Sequence, residues 1–126
     1  MKRNVNFRTA LGNAIAGLKY MLRTQRNARI HLAATVIVIA VGFWLELSIT
    51  DWILIVIAIG LVWVAEMFNT ALECFFDLVE PKENKIVRAG KDTSAAAVFL
   101  TSLLSALIGI LVFGPLLLKK LSDLLS

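Results

Sequence analysis

The chain has 126 residues, 59% of them hydrophobic, against about 45–50% in soluble domains, so a single membrane-embedded domain over residues 1–126 is expected. Its formal net charge of +4 gathers at the ends of apolar runs without an aromatic-basic module beside it, which excludes nucleic-acid binding and points to anionic lipid head groups. One cysteine, Cys74, excludes an intrachain disulfide and any multi-cysteine metal site, and its expected role is that of a small packing residue.

The first predicted element is a helix over about 5–27. Phe7, Leu11, Ala14, Ile15, Leu18 and Leu22 recur at spacings of three and four, with Arg8, Lys19, Arg23 and Arg26 on the opposite side. That pattern suits a helix lying in the membrane surface, its cations among the head groups; docking on other protein is the alternative. No cleaved signal peptide is expected, because a long basic amphipathic stretch precedes the first apolar run.

Three spans follow, at about 30–49, 52–79 and 94–118. The first, "IHLAATVIVIAVGFWLELSI", is long enough to cross a hydrocarbon core of about 30 Å. The second is uninterrupted only from Trp52 to Ala65, about 21 Å of helix, so it must continue through polar residues to near Val79 before Pro81 stops it. The third carries no charge from Ala95 to Leu118, and Gly114-Pro115 is a place for it to bend or end. Lysines and arginines cluster before residue 30 and between 82 and 91. The positive-inside rule therefore sets the N-terminus and the 78–92 loop in the cytoplasm and the "ELSITD" turn outside, flanked by Trp44 and Trp52 as interfacial or packing aromatics.

Within the second span stand Glu66, Asn69, Thr70, Glu73 and Asp77, which at ~100° per residue share an arc of about 100°. A carboxylate in hydrocarbon costs several kcal/mol unless it is paired, protonated or facing water. The arc is either a substrate or ion site, or interhelical hydrogen-bonding glue with acids reaching the interface. The next loop, "AGKDTS", lacks the earlier glycine of a P-loop, since Lys85 stands there. Asp92, Thr93 or Ser94 could cap the third span; alternatively Lys91 and Asp92 join the polar arc as parts of a metal-nucleotide phosphate site.

Two separated motifs, "AEMFNTALE" and "AGKDTSAAAV", in that order, strongly resemble the small bacterial diacylglycerol kinase and undecaprenol kinase family, and "GLKYMLRTQRNARIHLA" extends the likeness over nearly the whole chain. The resemblance implies an all-α integral membrane protein, an amphipathic surface helix plus three transmembrane helices assembled as a homotrimer with shared active sites, in the bacterial cytoplasmic membrane. It implies transfer of the ATP γ-phosphate to a membrane lipid alcohol, with magnesium as cofactor. Position by position, it implies Glu66 as the catalytic base, Asn69 with Thr70 as substrate-positioning residues, Glu73 as magnesium ligand, and Lys91 and Asp92 as nucleotide contacts. One departure stands out: Gln25 occupies a position where the family often has a second metal-binding glutamate. Its carbonyl can contact nucleotide or ligate magnesium, but without a negative charge it binds the metal more weakly. Arg26, Asn27, Arg29 and His31 resemble the basic run of the Gram-positive and cyanobacterial branch, and with "NTALE" they favour undecaprenol over diacylglycerol as substrate. A small oligomeric channel or proton-coupled transporter is the rival reading, and a membrane-anchored assembly protein a third.

Overall fold

A computed structural model describes residues 6–126. Among them the chain forms four helices and no strand: α1 Phe7–Thr24, α2 Arg26–Trp44, α3 Ile49–Val79 and α4 Lys85–Leu125. Residue 5, the expected start of the first helix, lies outside the described residues. Helices α2, α3 and α4 are each long and apolar enough to cross a bilayer.

Local chemistry sets the helix ends. Asn6 caps α1 by accepting from the Thr9 amide at 2.9 Å, which satisfies one of the donors that a helix start leaves free. Gln25 alone, in extended conformation (φ −106°, ψ 115°), separates α1 from α2. The guanidinium of Arg29 reaches back to the carbonyls of Leu22 and Arg23, at 3.0 and 3.1 Å. A cation there satisfies two terminal acceptors and complements the negative end of the α1 dipole.

The α2 end is a Schellman turn: the Leu47 amide bonds the Gly42 carbonyl at 3.2 Å and the Glu46 amide the Phe43 carbonyl at 3.2 Å. Glu46 takes the left-handed position at φ 56°, where glycine is favoured. Two residues later Ser48 caps α3, its hydroxyl accepting from the Asp51 amide at 3.1 Å. This helix stops at Val79, two residues before Pro81.

Several boundaries differ from the sequence expectation: the first helix ends at Thr24, before 27, so Arg26 belongs to α2, and α3 begins at Ile49 and not at 52. The helix of the first span begins at Arg26 and ends at Trp44 instead of covering 30–49. More consequentially, α4 begins at Lys85, nine residues before the expected start of the third span, because the Asn84 side chain accepts from the amides of Ile86 and Val87 at 2.8 and 3.0 Å. The "AGKDTS" stretch is therefore helical, Asp92, Thr93 and Ser94 cap nothing, and the connecting segment is only 80–84. Pro115 lies inside α4, which runs on to Leu125. At 1.5 Å per residue α4 is about 60 Å long, roughly twice a hydrocarbon core.

Helices α3 and α4 pack antiparallel along much of their length, with α2 against α3. Near the α2–α3 turn, Leu45, Leu47, Ile55 and Val112 form a buried cluster extended by Trp52, Phe113 and Leu116. Trp52 is a packing residue: a Cβ on Gly42 would lie 2.7 Å from its ring, which also stands 4.9 Å from Phe43. Trp44 is exposed, with the Lys120 ammonium 5.5 Å above its ring. At the opposite end Gly90 leaves room for Phe76, whose ring would overlap any Cβ there. The later turns of α1 dock on the bundle through Met21, 1% exposed, whereas Phe7, Leu11 and Ile15 remain uncovered.

Candidate functional site

Of the polar residues predicted on the second span, Asn69 and Glu73 border one cavity, and side chains from α2 and α4 converge on it. Glu73 is the hub. It accepts from the Gln25 amide nitrogen at 3.0 Å and from the Asn69 amide nitrogen at 3.3 Å, one bond to each carboxylate oxygen. The Asn69 carbonyl in turn accepts from the Ser94 hydroxyl at 2.7 Å. Ser94 thus orients an amide whose donor side faces Glu73. Donors from α3 and from the α1–α2 joint thus meet the two acceptor oxygens of one side chain.

A cavity of about 310 Å³ opens beside this network, bordered by Gln25, Asn27, His31, Asn69, Glu73 and Ser102. A second cavity, about 260 Å³, lies between α2, α3 and α4 and is almost wholly apolar, with Val38, Ile55, Ile59, Val62 and Phe113 in its walls. His31 and Ser102 border both. Polar and apolar spaces therefore meet at one seam inside the bundle.

Glu66 belongs to that seam. It is 1% exposed, and its Oε1 accepts no hydrogen bond. The His31 Nε2 is 3.3 Å from this oxygen, without hydrogen-bond alignment. A buried carboxyl oxygen left without a donor costs free energy that most interiors avoid, on the order of 1–3 kcal/mol. Neither cavity is lined by Glu66 itself; it meets both through His31. Thr70 is also buried, but its hydroxyl donates to the Glu66 carbonyl at 2.8 Å and it borders neither cavity.

Lys91 and Asp92 lie apart from Gln25 and Glu73. The Lys91 ammonium pairs with Asp77 at 2.5 Å, and both Lys91 and Asp92 line a third cavity of about 230 Å³ around the 80–84 connection, with Lys82, Glu83 and Arg88. Arg88 pairs with Glu83 in its lining. The backbone joins the two regions, because the Ser94 hydroxyl also contacts the Lys91 carbonyl at 2.9 Å.

Among the described residues no group of three or more His, Cys, Asp and Glu side chains forms a ready metal cage. Magnesium does not need one: it is commonly held by one or two carboxylates together with substrate phosphates. Glu73 fits that use. Gln25 presents its nitrogen to Glu73 here, so contributing its carbonyl oxygen to a metal requires the carboxamide to turn over.

Sequence reasoning overlooked the central place of His31, Ser94 and Ser102. The signal for the serines was present, since Ser94, Val98, Ser102 and Ser105 follow one another at spacings of four, four and three along one face of α4. For His31 none was available, because its partner lies on another helix.

The model of the prokaryotic diacylglycerol kinase family matches residues 12–113. The chain belongs to this family. As a prokaryotic diacylglycerol kinase family member it is a membrane lipid kinase, a transferase of lipid metabolism that uses ATP. Among characterised relatives it is similar to the undecaprenol kinase of Bacillus subtilis (strain 168), 40% identical over 99 residues that cover 79% of this chain and 80% of that one. The diacylglycerol kinase of Synechocystis sp. (strain ATCC 27184 / PCC 6803 / Kazusa) is 36% identical over 113 residues, covering 89% of this chain and 62% of the relative.

Proposed function

We propose that this lipid kinase phosphorylates a polyprenol, undecaprenol in preference to diacylglycerol, with Glu66 as general base. The observation that carries the reading is the seam: a buried carboxylate where a polar cavity and an apolar cavity share His31 and Ser102. A lipid alcohol needs both, an apolar channel for its chain and a polar space for its hydroxyl and the incoming phosphate. At the boundary of the two cavities that hydroxyl meets Glu66 beside His31. Its proton passes to Glu66, the alcohol oxygen bonds to the γ-phosphorus, the bond from that phosphorus to the β-bridging oxygen breaks, and ADP leaves.

Gln25 and Glu73 hold the phosphate end, and Lys91 and Asp92 contact the nucleotide from the adjoining cavity once Lys91 exchanges Asp77 for phosphate. Asn69, fixed by Ser94, orients Glu73. Thr70 keeps the Glu66 turn of α3 in register and so acts on substrate positioning indirectly. Magnesium bound at Glu73 would supply neutralisation of the phosphate charge. The chain works as a homotrimer in the bacterial cytoplasmic membrane, with its N-terminus and the 80–84 connection on the cytoplasmic side and α1 seated on that surface through Phe7, Leu11 and Ile15. The preference for undecaprenol is supported by the similarity to the Bacillus enzyme.

The test is one assay: purified protein, labelled ATP and magnesium, with undecaprenol and diacylglycerol compared side by side. Faster labelling of undecaprenol is expected. Faster labelling of diacylglycerol overturns the substrate choice, and absence of product from both, in folded protein, overturns the kinase assignment for this chain.

A further inference from the structure

We propose that His31 is a positioning residue for phosphoryl transfer, acting through Glu66 by holding its carboxylate at the seam between the two cavities. This rests on the reading of Glu66 as base.

Three observations carry it. His31 Nε2 is 3.3 Å from Glu66 Oε1, an oxygen that otherwise has no polar partner. The imidazole borders both cavities, so it occupies the boundary that the hydroxyl of a lipid chain must reach. Finally, the backbone that carries the histidine is tied to α3. The Thr35 hydroxyl donates to the His31 carbonyl at 2.7 Å and accepts from the Trp63 indole nitrogen at 3.0 Å, which ties this turn of α2 to α3 three residues before Glu66.

A carboxylate on a mobile side chain is a poor base, because only the rotamers pointing at the proton react, and general-base catalysis depends on hydrogen-bond reach in the reactive complex. Here burial has removed water from Glu66. The imidazole is the polar neighbour of its unpaired oxygen. Although His31 lines the same cavity as Glu73, no hydrogen bond joins it to the Glu73 network, so its loss should alter the rate of the chemical step and leave ATP binding nearly unchanged.

The experiment is a double-mutant cycle on purified protein in lipid, combining His31→Ala with Glu66→Gln, with His31→Gln as a conservative third variant. His31→Ala is expected to lower kcat about 100-fold, the lower end of what a positioned base contributes, with the KM for ATP changed less than about twofold. His31→Gln, whose amide can reach Glu66, should recover at least about tenfold of that loss. In the Glu66→Gln background, His31→Ala should add almost nothing, because the residue it acts through is already disabled. Normal kcat in His31→Ala, or a loss fully multiplicative with that of Glu66→Gln, overturns the proposal. Normal turnover in Glu66→Gln alone instead overturns the base assignment. Should His31→Ala fail to assemble, His31→Gln decides: substantial turnover supports positioning by a polar group, and turnover as low as that of Glu66→Gln refutes it.

Discussion

The two ends of the helix bundle are built on opposite principles. At the α2–α3 turn, Leu45, Leu47, Ile55 and Val112 close around Trp52 and Phe113, and helix separation is so tight that Gly42 has no room for a methyl group. At the α3–α4 end the buried groups include Glu66, Asn69, Thr70 and Ser94, the last three held by side-chain hydrogen bonds beside open space. In lipid, apolar burial gives helices little reason to associate, so close packing has to hold one end and polar contacts the other. Substrate can enter only where the packing is incomplete. The difference suggests that substitutions at the turn end act on stability, whereas those at the polar end act on turnover.

The strongest way to break this division is Glu66→Gln, which keeps the shape and removes the base. Turnover is expected to fall by about 10²- to 10⁴-fold, with oligomeric state and thermal unfolding in detergent unchanged; unfolding in place of inactivity would make Glu66 a structural residue. Gly42→Val tests the other end. The added methyl groups meet Trp52 and Leu47, so stability should drop by roughly 1–3 kcal/mol in denaturant titrations, while activity per folded molecule persists.

Gln25→Glu is a finer probe of the polar end. It replaces an amide that donates to Glu73 with a second carboxylate, so the apparent magnesium affinity in activity titrations should rise severalfold as ligand charge increases. An unchanged magnesium requirement would remove Gln25 from the metal's surroundings. The smallest effect is expected at the tight turn, where Glu46→Gly relieves a left-handed glutamate and should add about 0.5–1 kcal/mol to stability without altering kinetics.

Much of this division could be read from sequence, and the parts that could not have identifiable causes. The course of α3 to Val79 followed from a bilayer's thickness and from Pro81, and the shared face of Glu66, Asn69 and Glu73 from helical periodicity alone. The start of α4 was misplaced because hydropathy reports where lipid begins, and the charged turns around Lys85, Arg88 and Lys91 are helical without being apolar. Asn84 was the signal that counted, a capping residue at the end of a proline-bearing connection. The pairing of His31 with Glu66 depends on the register of α2 against α3, which Gly42 and Trp52 determine through their close approach. A pattern within one helix cannot supply that register.

Gln25 has a mechanical consequence as well as a chemical one. The residue whose side chain grips Glu73 is also the single non-helical link between α1 and α2. There is no slack in such a joint: any tilt of α1 relative to α2 must be taken up by torsion at Gln25 or at the helix ends that flank it. Arg29 stiffens the elbow by clamping the last carbonyls of α1. The attitude of the first helix and the aim of the Gln25 carboxamide are therefore linked degrees of freedom.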